Sequence, residues 1–277
     1  MASDFYDIFR RAIDCPEDQI DLGHAAAAIA KSEYPHLDIE DCLSQLDRLG
    51  QAVEHRLGDE RNPYRIIAAV NTVLFKKLGY EGNRDHYYDP KNSYLNDVIE
   101  RKRGIPISLS VLYMEIARRV GLSLSGVGFP GHFLVKYQDD DDEIVIDVFN
   151  QGEILIRKDL DKLLQRLYGS QLSFQPNYLA ATGKREILRR MLSNLKMIYL
   201  QGSEPLKALS IVEQLVILDP VSAREIRDRG MLYMKLERYG KAVEDLEKYL
   251  RLAPGADDVV TIQAQIESIK QRSTQIH

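Results

Sequence analysis

The chain has 277 residues, 42 of them acidic and 37 basic, and a net charge of −5. That balance leaves no global basic footprint for nucleic acid, and the length suits one large or two ordinary domains. Two cysteines, Cys15 and Cys42, give no sign of a disulfide framework, exclude a zinc site of four cysteines, and suit a reducing cytoplasm.

The start, Met1 to Ile13, mixes charges and has no apolar core of signal-peptide kind. Asp4 to Asp14 reads as a short helix. Leu22 to Glu33 is an Ala-rich, buried helix that stops before Tyr34-Pro35. Its run Ala25 to Ala30 is the longest apolar stretch, far too short to span a bilayer. Asp38 to Leu57 carries Ile39, Cys42, Leu43, Leu46, Leu49 and Val53 at helical spacing. Pro63 sits in the first turn of the next helix, whose apolar face runs to Leu78. Gly79 to Pro90 reads as loop and Ser93 to Lys102 as a short helix.

Pro106 to Val120 is apolar around most of its circumference, the mark of a buried helix, with Gly121 placed to cap it. The period then changes to two. Val127 and Phe129, then Phe133, Val135 and Tyr137, then Ile144, Ile146 and Val148 alternate as in half-buried strands, with Asp139 to Asp142 as the turn. Glu153 to Ile156 reads as a third strand and Asp159 to Leu167 as a helix. Parity decides whether His132 and Asp147 share a face. A two-residue loop sets them directly opposite, and a four-residue loop sets them on a diagonal of one face. An odd loop separates them.

From about Lys184 a 34-residue period appears: Tyr199/Tyr233, Ala208/Ala242, Val212/Leu246 and Pro220/Pro254. This is the tetratricopeptide spacing, two antiparallel helices per unit with small residues at their close approach. The unit 187–220 departs from the pattern at Lys196, where a small residue is usual. The unit 221–254 follows it with Gly230 and Ala242, and Asp257 to Arg272 reads as a closing helix.

The layout from Arg103 to Phe149 is that of a cysteine acyl-transfer site: helix start, a strand with His, a strand with Asp. The thiol is absent. The helix start reads Gly104-Ile105-Pro106-Ile107-Ser108-Leu109-Ser110, so Ser108 is the only hydroxyl near the nucleophile position. A serine there caps the helix, or acts as a nucleophile if a base serves it. His132 is a core histidine satisfied by a carboxylate, or a general base oriented by Asp147. Gly131 before it allows close backbone approach. The polar loop Asp89 to Asp97, with Asn92 and Asn96, lines a cleft, or Asn92 and Ser93 only cap the next helix; Arg101, Lys102 and Arg103 form a small basic patch beside Gly104 that receives an anion or is simply solvated. His24, His36, His55 and His86 have no partners at metal-ligand spacing, and the acidic run at Asp139 lacks the ligand spacing of a calcium loop. No metal or cofactor is expected.

The runs Asn92-Ser93-Tyr94-Leu95-Asn96-Asp97-Val98, Arg103 to Ser110, Gly131-His132-Phe133-Leu134-Val135 and Asp147-Val148-Phe149 closely resemble the SirB family. These are bacterial proteins with a transglutaminase-like domain followed by tetratricopeptide repeats. The resemblance implies an α+β, mainly helical, papain-like domain with a small antiparallel sheet over 1–180, and an α-helical repeat segment over 184–277. It also implies that His132 and Asp147 match the catalytic His and Asp, while the Cys position falls at Pro106 to Ser108. The usual aromatic two residues after the His is replaced by Leu134. Both departures lead to the expectation of a cytoplasmic, non-catalytic interaction or regulatory protein that binds a protein or peptide through its repeats, with no direct nucleic-acid or membrane contact. The alternative is a hydrolase or acyltransferase using Ser108, His132 and Asp147.

Overall fold

A computed structural model describes residues 4–274 of the chain; the outermost residues of both expected segments lie outside the described residues. The molecule is α+β and mainly helical. The chain forms two compact units, one of residues 11–191 and one joining residues 4–10 to 192–274.

The first unit is built around α6 (Pro106–Arg119). Every residue from Pro106 to Ala117 is buried, as its all-round apolar sequence requires. Helices α2 (Leu22–Ala30), α3 (Ile39–Leu57), α4 (Pro63–Asn71) and α5 (Leu95–Arg101) pack around it. Asp21, Asp38 and Asn62 cap α2, α3 and α4 by accepting first-turn N–H groups. The α2 helix ends at Ala30, short of the expected Glu33, and looser turns lead into Pro35. The expected continuation of α4 is a π-helical turn, Thr72–Lys77.

The sheet has five strands in the order β6-β5-β4-β3-β7, all antiparallel. They are β3 (Ser125–Val127), β4 (Leu134–Gln138), β5 (Glu143–Asp147), β6 (Glu153–Leu155) and β7 (Ala181–Thr182). Gln138 faces Glu143, so the β4–β5 loop has four residues, one of the even lengths that keep His132 and Asp147 on one face. Within it Asp139 accepts from the N–H groups of Asp141 and Asp142. The central strands β4 and β5 are buried on both faces rather than half-buried. One face carries α6; on the other, Val127, Leu134, Val145 and Leu155 form a core with Leu160, Leu163 and Leu164 of α7 (Arg157–Tyr168). A two-strand parallel ribbon, β1 (Glu81–Gly82) with β2 (Arg103–Gly104), leads into the start of α6.

The second unit takes the end of α8 (Lys184–Gln201), then α9 (Pro205–Leu218), α10 (Ala223–Lys235), α11 (Tyr239–Leu252) and α12 (Val259–Thr274). Tyr199, Tyr233, Ala208, Ala242, Val212 and Leu246 are all buried, so the 34-residue period marks equivalent core positions. A Cβ on Gly230 would stand 2.9 Å from Leu246, the close helix approach the pattern requires. Lys196 is buried too. Its ammonium meets Glu225 at 2.6 Å and Asp228 at 2.5 Å, so a triad of charges fills the position where small residues usually pack. Among the described residues no helix is long and apolar enough to cross a membrane.

Candidate functional site

His132 and Asp147 meet. His132 Nε2 lies 3.0 Å from Asp147 Oδ1, with both side chains buried. In the neutral ring the carboxylate holds the proton on Nε2 and leaves Nδ1 as the acceptor. The turn that delivers His132 depends on Gly131. Its φ is +66°, and a Cβ there would stand 2.9 Å from the Tyr168 hydroxyl. The His132 carbonyl accepts from Arg190 at 2.7 Å.

Asp147 ends β5 and caps the 3₁₀ turn Val148–Asn150. Its Oδ1 also accepts from the Asn150 backbone N–H at 3.2 Å, and its Oδ2 accepts from Asn150 Nδ2 at 2.6 Å. Burial alone would raise this carboxyl's pKa, but the bond and charge of His132 and the two bonds from Asn150 outweigh it and hold the pKa below the usual range. The Asn150 side-chain oxygen in turn accepts from the Arg84 guanidinium. Arg84 also lies over the Phe149 ring, 5.0 Å from its centroid. Phe149 stands edge-on to His132, with centroids 6.0 Å apart, and packs so closely on Gly82 that a Cβ there would come within 2.4 Å of it.

Ser108 is placed differently. Its side chain is wholly buried, and its hydroxyl donates to the Asn92 carbonyl at 2.5 Å. It accepts from the Ile105 N–H at 3.1 Å, half of a capping box at the start of α6. No hydrogen bond joins Ser108 to His132 among the described residues. Asn92 is itself wholly buried. Its amide donates to the carbonyls of His86 and Tyr87 at 2.7 and 3.2 Å, and its Oδ1 accepts from Asn83 at 3.0 Å. Asn92 therefore ties the loop 83–92 to the start of α6 and does not present its side chain to a cleft. Asn96 is half-buried on α5, with a buried side-chain oxygen that has no partner among the described residues. Arg103 pairs with Glu81 at 2.6 Å across the β1–β2 ribbon. It lines a polar cavity of about 320 Å³ with Arg84, Asp85, Phe149 and Asn150.

Neither cysteine supplies a thiol to this arrangement. Cys42 is buried in α3, where burial pushes its pKa up to about 11, and Cys15 lies in the turn after α1 (Asp4–Ile13). Asn150, Phe149 and Arg84 belong to the site and were not singled out from sequence. The available signal for Asn150 was its place three residues after a strand-ending Asp, a spacing that suits an Asx turn.

The model of the transglutaminase-like superfamily matches residues 40–193, and a tetratricopeptide-repeat model matches residues 195–267. The chain belongs to the transglutaminase-like superfamily. Its relatives include a UPF0162 protein of Xylella fastidiosa, 37% identical over 94% of each chain. Another, from Pseudomonas aeruginosa, is 31% identical over 84% of each. The mouse F-box only protein 21 is 34% identical over 139 residues, 47% of this chain and 21% of that one. A transglutaminase-like domain followed by tetratricopeptide repeats, with full-length bacterial relatives, is the SirB-type arrangement read from the motifs.

Proposed function

We propose that the chain is a non-catalytic interaction protein of the cytoplasm, a transglutaminase-like frame coupled to a repeat module that binds a protein or peptide. It acts without direct nucleic-acid or membrane contact. The observation that carries this reading is the Ser108 hydroxyl: buried, donating to a backbone carbonyl, and accepting from a backbone amide. A serine needs a base at hydrogen-bond distance to attack a carbonyl, and this one spends its proton on Asn92. The His132–Asp147 pair alone supports the acyl-transfer alternative, and a base without a nucleophile does not complete it.

Partner binding through the repeats is supported by exposed apolar side chains on their helices, Met197, Leu200 and Leu206 among them. Treating the full chain with a fluorophosphonate tests the reading. No serine adduct is expected, and labelling that disappears in Ser108→Ala would overturn it. The binding half is tested by partner capture with Met197→Glu and Leu206→Glu in the full chain. Capture that survives both would move the binding surface elsewhere.

A further inference from the structure

The cavity beside the dyad is lined by two cations and two carboxylates. Glu81 and Arg103 answer each other at 2.6 Å. Arg84 and Asp85 have no ion pair among the described residues, so the cavity keeps one open cation and one open acceptor. Arg84 is also held in place. It lies over Phe149 and donates to Asn150, whose amide donates to Asp147, which accepts from His132. A hydrogen-bonded line thus runs from the buried imidazole to a guanidinium at the cavity wall. A fixed guanidinium offers two parallel N–H donors, the geometry a carboxylate accepts best.

We propose that this cavity receives the C-terminal carboxylate of a peptide, with Arg84 as its reader and His132, Asp147 and Asn150 as the brace that orients Arg84. This rests on reading the domain as a binder, and it gives the retained dyad a use that needs no nucleophile. Asp85 favours a chain terminus over an interior acidic side chain. A terminal residue carries a peptide N–H that can donate to Asp85 close to a carboxylate that can accept from Arg84, whereas the side-chain carboxylate of an interior glutamate lies further from its own backbone N–H. The volume, about 320 Å³, suits the last one or two small residues of a peptide rather than a long segment.

The test is NMR on the full chain, following the Arg84 side-chain N–H and the His132 ring nitrogens. The probes are N-acetyl-trialanine as the free acid, the same peptide amidated, and an amidated peptide with an interior glutamate. The free acid should shift both signals and saturate in the millimolar range, and the two amides should not. Arg84→Gln should abolish the response. Asn150→Ala should weaken binding about tenfold and uncouple the His132 nitrogens from it, because the brace is cut between them. Arg103→Ala, which removes the answered pair, should change affinity less than Arg84→Gln. Equal responses to acid and amide, no response at millimolar probe, an equal response to the interior glutamate, or undiminished binding in Arg84→Gln would each overturn the proposal. Each leaves the non-catalytic reading standing, since that reading falls to serine labelling and not to peptide binding.

Discussion

The two polar knots at the heart of the first unit are built in opposite ways. At the end of the sheet, His132 and Asp147 keep a side-chain pair, with the imidazole Nδ1 free of any protein partner among the described residues. At the start of α6, Ser108 has turned its hydroxyl onto the backbone of Asn92 and Ile105. Both sites are buried and both are polar, so burial does not separate them. What separates them is where the hydrogen bonds go. A side chain bonded to backbone at both its donor and its acceptor is part of the scaffold. A side chain that keeps one polar atom uncommitted remains available to a ligand.

The strongest way to sharpen that contrast is Asp147→Ala. It orphans three buried or half-buried donors at once: the His132 ring N–H, the Asn150 backbone N–H and the Asn150 amide. The expected loss is about 3 kcal/mol, read from urea unfolding. A variant of unchanged stability would show that water replaces the carboxylate and that the pair is not structural. Ser108→Ala should cost less, about 1–2 kcal/mol, because it frees one carbonyl and one amide at a helix start. If Ser108→Ala were neutral, the hydroxyl would not be a scaffold element and the contrast would collapse.

Much of this was legible beforehand because it has a period. The all-round apolar run of α6, the alternation in β4 and β5, and the 34-residue repeat each reflect a regular face. Parity narrowed the His132–Asp147 question to the length of one turn. Three things left no periodic trace. The strands β1, β2 and β7 are two residues long, too short to alternate. The hydroxyl of Ser108 finds Asn92, sixteen positions earlier, through a loop that folds back on its own side chains. Lys196 read as a flaw in the first repeat, because its acids, Glu225 and Asp228, sit on α10 about one repeat further on. A single helix cannot show a partner that arrives from the next unit.

The smallest effect concerns acid, and it separates two carboxylates of opposite sign. Asp147 has its pKa held down by His132 and Asn150, so its bonds contribute fully above the unfolded carboxyl pKa of about 3.9. That contribution is lost as pH falls through the lower folded value. Asp97, on α5, is buried and has its pKa raised by that burial, against the bond it accepts from Tyr34 at 2.8 Å. Its ionisation opposes folding as pH rises past the unfolded value, so protonating it restores stability. Urea midpoints of Asp147→Asn and Asp97→Asn against the parent should therefore move apart. Below about pH 4 the parent's advantage over Asp147→Asn shrinks, while any advantage of Asp97→Asn over the parent shrinks as well. At neutral pH the first variant should be the weaker and the second no weaker than the parent. If both were destabilised alike and showed the same pH slope, the His132 contact would be contributing no more than an ordinary buried hydrogen bond. The dyad would then differ from the Ser108 knot only in the identity of its partners.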